Sequence, residues 1–227
     1  MRFSLVIDAD DTLWENNIYF EAAFEEFVAF LGHSRLGPRE IRAVLDEIES
    51  ANSRIHGYGS RNFGRNLRQC YRALAERQIG DADLDTVMGF AERILEQPME
   101  VIEGVAETLE YLAPRHDLTL FTKGHPEEQR VKIERSGLGA FFAHAAIVKE
   151  KDAAAYRALA RERGFDPELS WMIGNSPKSD INPALEAGWN AVFVPHARTW
   201  TLEREKIEPR EGRLLAVARF ADLQRHF

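Results

Sequence analysis

Apolar residues first gather at Leu5, Val6 and Ile7, with no polar position between them. A short run without alternation predicts a strand, Ser4 to Ile7, buried on both faces. The next long region follows a helical period instead. Phe20, Phe24, Phe27 and Leu31 recur at that spacing and stop at Gly32. Gly37-Pro38 is a favourable helix start, and Ile41, Val44, Leu45 and Ile48 continue the pattern. Phe63, Leu67, Cys70, Tyr71 and Leu74 predict a third helix. Leu84, Val87, Met88, Ala91, Ile94 and Leu95 predict a fourth, closed by Pro98.

From about Glu103 the rhythm changes to helix, strand, helix, strand. Val105, Leu109 and Leu112 mark a helix, and Leu118 to Phe121 a strand. A helix follows Pro126 and ends near Gly137, and Ala145 to Val148 is a short strand. Asp152 to Arg163 reads as a helix, Trp171 to Ile173 as a strand, and Ile181 to Ala187 as a helix closed by Gly188. Ala191 to Val194 is another strand, and Leu214 to Phe220 offers an edge strand within the charged tail beyond Trp200. Strands alternating with helices imply a parallel sheet covered on both faces. The expected fold is therefore α/β, a Rossmann-like parallel sheet core with helices on both faces plus an inserted α-helical domain. The core would span residues 1–15 and 99–227, and the insertion 16–98.

Composition narrows the function. The chain has 227 residues, and its net charge of -8 argues against general affinity for a nucleic-acid polymer. A single cysteine, Cys70, excludes an intramolecular disulfide and a multi-cysteine zinc site. No stretch approaches the roughly 20 apolar residues that span a bilayer, and the run after Met1 is too short for a signal peptide. A cytoplasmic location without membrane contact is the expectation.

Ligands of open parallel sheets bind beyond the carboxyl ends of the strands. The first strand runs into Asp8-Ala9-Asp10-Asp11-Thr12, and the Leu118 strand into Thr122-Lys123-Gly124. The Trp171 strand runs into Gly174-Asn175-Ser176, with Asp180 just beyond, and Lys149 and Lys151 follow Val148. Singly, each of these has an ordinary explanation: Asp-x-Asp as a turn, Thr122 as a cap, Lys151 as a solvated helix start, Asp180 as an N-cap. The ordered set on one rim is what points to chemistry.

That set resembles the haloacid dehalogenase superfamily of phosphohydrolases. Asp8 to Thr12 is similar to its Asp-x-Asp-x-Thr motif, Thr122 to its strand-end hydroxyl, and GNSPKSD, Gly174 to Asp180, to its acidic fourth motif. Lys151, followed by Tyr156, matches the form of the third motif better than Lys149. The helical insertion resembles the family's C1-type cap. In one position the sequence departs from the pattern: Asn175 stands where many members carry an acid.

The resemblance implies Mg²⁺ held by Asp8, the main-chain carbonyl of Asp10, and Asp180, with Asn175 as a neutral contact. Asp8 would be the nucleophile, forming an aspartyl-phosphate. Asp10 would protonate the leaving alkoxide and then deprotonate water. Thr122, Lys151 and the Lys123–Gly124 backbone would hold the phosphoryl oxygens. Asp11 is given no catalytic role.

Trp14 and Asn17 follow the catalytic loop and are expected at the hinge, facing the pocket. RIHGYGSRNFGR, Arg54 to Arg65, breaks the helical rhythm with three glycines. It is read either as a cap loop presenting Arg54 and Tyr58 to a substrate or as a solvated connection. The function implied is a Mg²⁺-dependent phosphatase acting on a small phosphorylated metabolite. A phosphomutase and a non-catalytic Mg²⁺- or phosphate-binding regulatory module remain as alternatives. The oligomeric state is not read from the sequence.

Overall fold

The computed structural model describes residues 2–208, 210 and 212–227. The chain divides into two compact units, Asn16–Pro98 and the pair of segments Met1–Glu15 and Met99–Phe227. The first of these is helical: α1 Asn17–Leu31, α2 Pro38–His56, α3 Ser60–Leu74 and α4 Asp81–Glu92. Its apolar positions meet as the helical period requires, with Phe27, Leu45, Leu67, Cys70, Tyr71 and Val87 fully enclosed. Burying each large side chain of this kind stabilises the fold by roughly 1.5–3 kcal/mol. Gly64 permits the approach of α3 to α4, because a Cβ there would meet Met88 Sδ at 2.7 Å.

Helix α2 runs farther than its apolar spacing foretells. Arg54 and His56 lie in its last turn, and Arg61 and Arg65 lie in α3. The expected loop from Arg54 to Arg65 therefore shrinks to Gly57-Tyr58-Gly59. Both glycines have positive φ, 75° and 115°, so the reversal is made in three residues.

In the second unit, β1 is Ser4–Ile7, β2 Asp117–Lys123, β3 His144–Val148, β4 Ser170–Gly174, β5 Asn190–Phe193 and β6 Leu214–Ala216. They form one sheet in the order β3-β2-β1-β4-β5-β6, and every pairing is parallel. The core helices are α5 Val105–Leu112, α6 Pro126–Ser136, α7 Ala153–Arg163 and the short α8 Asn182–Glu186. Leu5 and Ile7 pack with Leu109, Leu112, Leu118 and Leu120 on one face. Val6 packs on the other with Phe121, Tyr156, Met172 and Trp189. This is why the first strand has no polar position: both of its faces are interior. The strand expected within Leu214 to Phe220 is present as β6 and forms one edge of the sheet, beside β5. Among the described residues, no helix is long and apolar enough to cross a membrane.

Register sets the site. Ile7 stands beside Leu120 and Ile173, so the residues that follow β1 emerge next to the ends of β2 and β4. All carboxyl ends point the same way, and the polar residues are delivered to one rim.

Burial also settles the character of the single thiol. Cys70 is fully enclosed, and burial pushes its pKa up to about 12. Reaction with disulfide reagents needs the thiolate and access to it. A colorimetric thiol titration should find Cys70 inert in the native protein and reactive in urea. Equal rates in the two states would contradict the packing of α3.

Candidate active site

The site is built on the loop after β1. Asp8 N–H donates to Ile173 O (2.9 Å), extending the β1–β4 pairing by one residue. The chain then turns sharply: Leu13 N–H donates to Ala9 O, Asp11 N–H donates to Trp14 O, and Asp11 is in the left-handed region with φ 59°. A non-glycine residue tolerates this best when it is Asp or Asn. Thr12 closes the turn by donating its hydroxyl to Asp8 Oδ2 (3.0 Å).

Asp180 arrives from the other side. After β4 the chain makes one π-helical turn, Pro177–Ile181, capped by Ser176, whose Oγ accepts from Ser179 N–H (2.9 Å). Asp180 is thus inside a turn and is not the N-cap of α8. Its Oδ2 accepts from Ser176 N–H (2.9 Å). The carboxylate lies against Gly174, where a Cβ would stand 2.2 Å from Oδ2. Only glycine leaves that space.

Lys151 joins the two acids. It is buried, its Nζ donates to Asp180 Oδ1 (2.8 Å), and it forms a short ion pair with Asp8 Oδ1. Lys149 is exposed. Burial alone would lower the Lys151 pKa, but Asp180 and Asp8 outweigh it and raise it, so the ammonium stays charged. Burial and the neighbouring Asp8 push Asp180 up to about 7, against the opposing pull of Lys151. Tyr156 braces the arrangement: its hydroxyl donates to Ser179 O (2.8 Å), and its ring packs edge-on to Phe121 and Trp189.

Asp10 is arranged differently from the two acids on Lys151. Its carboxylate accepts from Lys132 Nζ at both oxygens (2.6 and 2.7 Å), from Gln129 Nε2 (2.9 Å) and from Trp14 Nε1 (2.8 Å). Burial opposes ionisation, but Lys132 leads the groups that overcome it and hold Asp10 below the usual carboxylate range.

Several expected substrate contacts have other duties. Trp14 is fully enclosed and gives its indole N–H to Asp10, so it does not face a pocket. The Lys123 side chain turns to Glu203 (2.6 Å) and Ser179 (2.8 Å). Gly124 N–H donates to Val148 O (3.1 Å), which removes it from the phosphoryl donors. The glycine is needed for room, since a Cβ would sit 2.8 Å from Gln129 Nε2. Thr122 is buried at the end of β2, in register with Ile147. Asn175 accepts from Thr12 Oγ1 (3.3 Å) and donates to Thr199 Oγ1 (2.9 Å). Asn17, buried in the first turn of α1, and Arg54 and Tyr58 all belong to the helical unit.

Sequence reasoning missed three side chains: Lys132, Gln129 and Glu203. Gln129 and Lys132 carry an i, i+3 signal on α6, but nothing in their spacing names Asp10 as their target. Glu203, buried, accepts from Ser176 Oγ (2.6 Å), from Ser179 Oγ and from Lys123. Asp11, Glu15 and His196 form a separate group whose donor atoms lie within 4.8 Å of one another.

The donors at the Asp8–Asp180 site are oxygens: two carboxylates and, beside them, the Asn175 amide. Hard oxygen donors suit Mg²⁺, which keeps several waters and needs few carboxylates. Two acids converging on one cationic atom, with Gly174 leaving room for the Asp180 carboxylate, fit such an ion.

The parallel α/β sheet with an acidic pair and a buried lysine on its carboxyl rim agrees with what a family comparison shows. The profile of the haloacid dehalogenase-like hydrolases matches residues 4–188, and the chain belongs to that family. It is similar to the structure of a haloacid dehalogenase-like family hydrolase from Xanthomonas campestris, with 30% identity and a TM-score of 0.86. That likeness covers 99% of this chain and 90% of the other. A phosphoserine phosphatase from Thermus thermophilus is 33% identical over 82 residues, 34% of this chain, and the match spans only 33% of that enzyme's length. L-2-haloacid dehalogenase from Xanthobacter autotrophicus shares the fold at 15% identity and a TM-score of 0.66, covering 99% of this chain and 98% of that one.

Glu203 gives the site a pH signature. Burial disfavours its charge, but Lys123 and the two serine hydroxyls hold its pKa below the ordinary 4.5. A depressed carboxyl contributes stability above its unfolded value and loses it as pH falls through the folded one. Glu203→Gln should therefore cost about 3–5 kcal/mol near pH 7, the range for breaking a buried pair. Urea unfolding should find that difference closing below about pH 4.

Proposed function

We propose that the protein is a Mg²⁺-dependent phosphatase that hydrolyses a small phosphate monoester through an aspartyl-phosphate on Asp8. The observation that carries this reading is the convergence of Asp8 and Asp180 on Lys151, with a second carboxylate, Asp10, two residues beyond the first. When bound, Mg²⁺ would be held by Asp8 and Asp180 and would offset the repulsion between an anionic nucleophile and an anionic ester.

Asp8 attacks phosphorus in line with the leaving oxygen. Lys151 and the Thr122 hydroxyl hold the phosphoryl oxygens as charge spreads over them. Asp10 gives a proton to the departing alkoxide and takes one from the water that cleaves the acyl phosphate. The same Asp10 favours phosphoryl over halide chemistry, because a halide leaves without a proton. The helical unit acts as the cap, where Asn17, Arg54 and Tyr58 select the rest of the substrate. Phosphomutase chemistry needs the same acids and differs only in the acceptor of the phosphoryl group.

The assay is release of phosphate from 4-nitrophenyl phosphate and from a panel of phosphometabolites. Expected are turnover with Mg²⁺, its loss with EDTA, its abolition by Asp8→Asn, and a drop of about 10²–10⁴-fold with Asp10→Asn. Turnover that survives Asp8→Asn removes the assigned nucleophile. Transfer to a second sugar without free phosphate identifies a mutase, halide release from haloacids a dehalogenase, and metal binding without turnover a regulatory module.

A further inference from the structure

The rim contains a clamp that the reaction scheme above does not use. Asp10 accepts four contacts of hydrogen-bond length from three side chains, and two of these, Gln129 and Lys132, stand on one face of α6. Lys132 reaches both oxygens at 2.6–2.7 Å, so it fixes the plane of the carboxylate as well as its position. Gln129 is itself fixed. Its Nε2 also donates to Lys123 O (3.2 Å), and it fills the space that Gly124 leaves by lacking a side chain. The clamp therefore ties the Asp10 carboxylate to the end of β2, where Thr122 stands.

We propose that Lys132, with Gln129, is a positioning residue for Asp10, holding its carboxylate where it exchanges a proton with the leaving group and with water. The proposal rests on the reading of Asp10 given above and adds the groups that aim it. A carboxylate on a tight loop would otherwise rotate about two bonds. A displacement of about 1 Å at a reacting group can cost of order 10²-fold in rate. Trp14 supplies one of the four contacts from within the same loop, whereas α6 supplies the other three from outside it. Removing Lys132 leaves Asp10 bonded to Trp14 and Gln129, and frees its orientation more than its location.

The experiment compares kcat and KM for Lys132→Met, Lys132→Arg and Gln129→Met with two esters in the presence of Mg²⁺. One is benzyl phosphate, whose alkoxide needs a proton to leave; the other is 4-nitrophenyl phosphate, whose phenolate does not. Lys132→Met should lower kcat for benzyl phosphate about 10- to 100-fold with KM nearly unchanged. The first-turnover release of nitrophenolate from 4-nitrophenyl phosphate, which needs no proton from Asp10, should fall much less. Lys132→Arg should recover part of the loss, and Gln129→Met should show the same pattern more weakly.

Placed in an Asp10→Asn background, Lys132→Met should add less than about twofold, because residues acting through one group are not additive. An undiminished effect in that background, or one that appears in KM alone, overturns the clamp while leaving Asp10 its role. Wild-type levels of activity in Asp10→Asn, or no turnover of either ester by the unaltered protein, overturn the reading of Asp10 and the clamp with it. Should Lys132→Met fold poorly, the Arg and Gln129 variants give the same comparison, and an equal fold-loss of first-turnover alcohol and phenolate release from the two esters refutes the proposal.

Discussion

The Lys151 ammonium lies between two carboxylates in an interior that would tolerate neither acid alone. Isolated buried charges cost several kcal/mol each after relaxation, and removing one partner of a buried pair costs about 3–5 kcal/mol. The topology makes the meeting possible. β1 and β4 are neighbours, so Asp8 and the turn bearing Asp180 start a strand's width apart. Lys151 follows β3, on the far side of β2, and crosses the end of that strand to reach them. Tyr156, one turn into α7, fixes that crossing through its bond to Ser179 O.

The rim distributes its charges in separate pairings. Asp8 and Asp180 share Lys151, Asp10 has Lys132, and Glu203 has Lys123. Each of these acids meets an ammonium within hydrogen-bond distance, and of the three lysines Lys151 serves two of them. The separation gives chemically similar side chains different environments: Asp180 is raised, while Asp10 and Glu203 are lowered. Environments that push like groups apart are how one fold assigns them different tasks.

The sheet was legible because it imposes a strong local pattern. An apolar run without alternation, followed by polar residues at its carboxyl end, identifies a central parallel strand whatever surrounds it. The strands at Leu5, Leu118 and Trp171 were therefore readable, and so were Asp8, Thr122 and Asp180 at their ends. What escaped depends on contacts between residues far apart in the chain. Lys132 lies 122 positions from Asp10, on a helix where more than half of the residues are charged and nothing singles it out. Trp14 and Gly124 were seen but given the wrong partners, because sequence spacing places a residue on the rim without saying which way it turns. The Arg54 to Arg65 stretch misled for a related reason. Gly57 ends one helix and Gly59 precedes the next, while Gly64 and the arginines on either side continue them.

The family profile ends at residue 188, and Glu203 lies fifteen positions later (203 − 188). This carboxylate closes the hydroxyls of Ser176 and Ser179 and the tip of Lys123 into one network around the turn that carries Asp180. A change in the C-terminal stretch is thereby coupled to the geometry of the acidic loop. Chimeras that exchange this stretch between relatives will retain the sheet and the motif residues yet inherit a differently supported loop. A boundary drawn around the shared motifs would cut through the working unit.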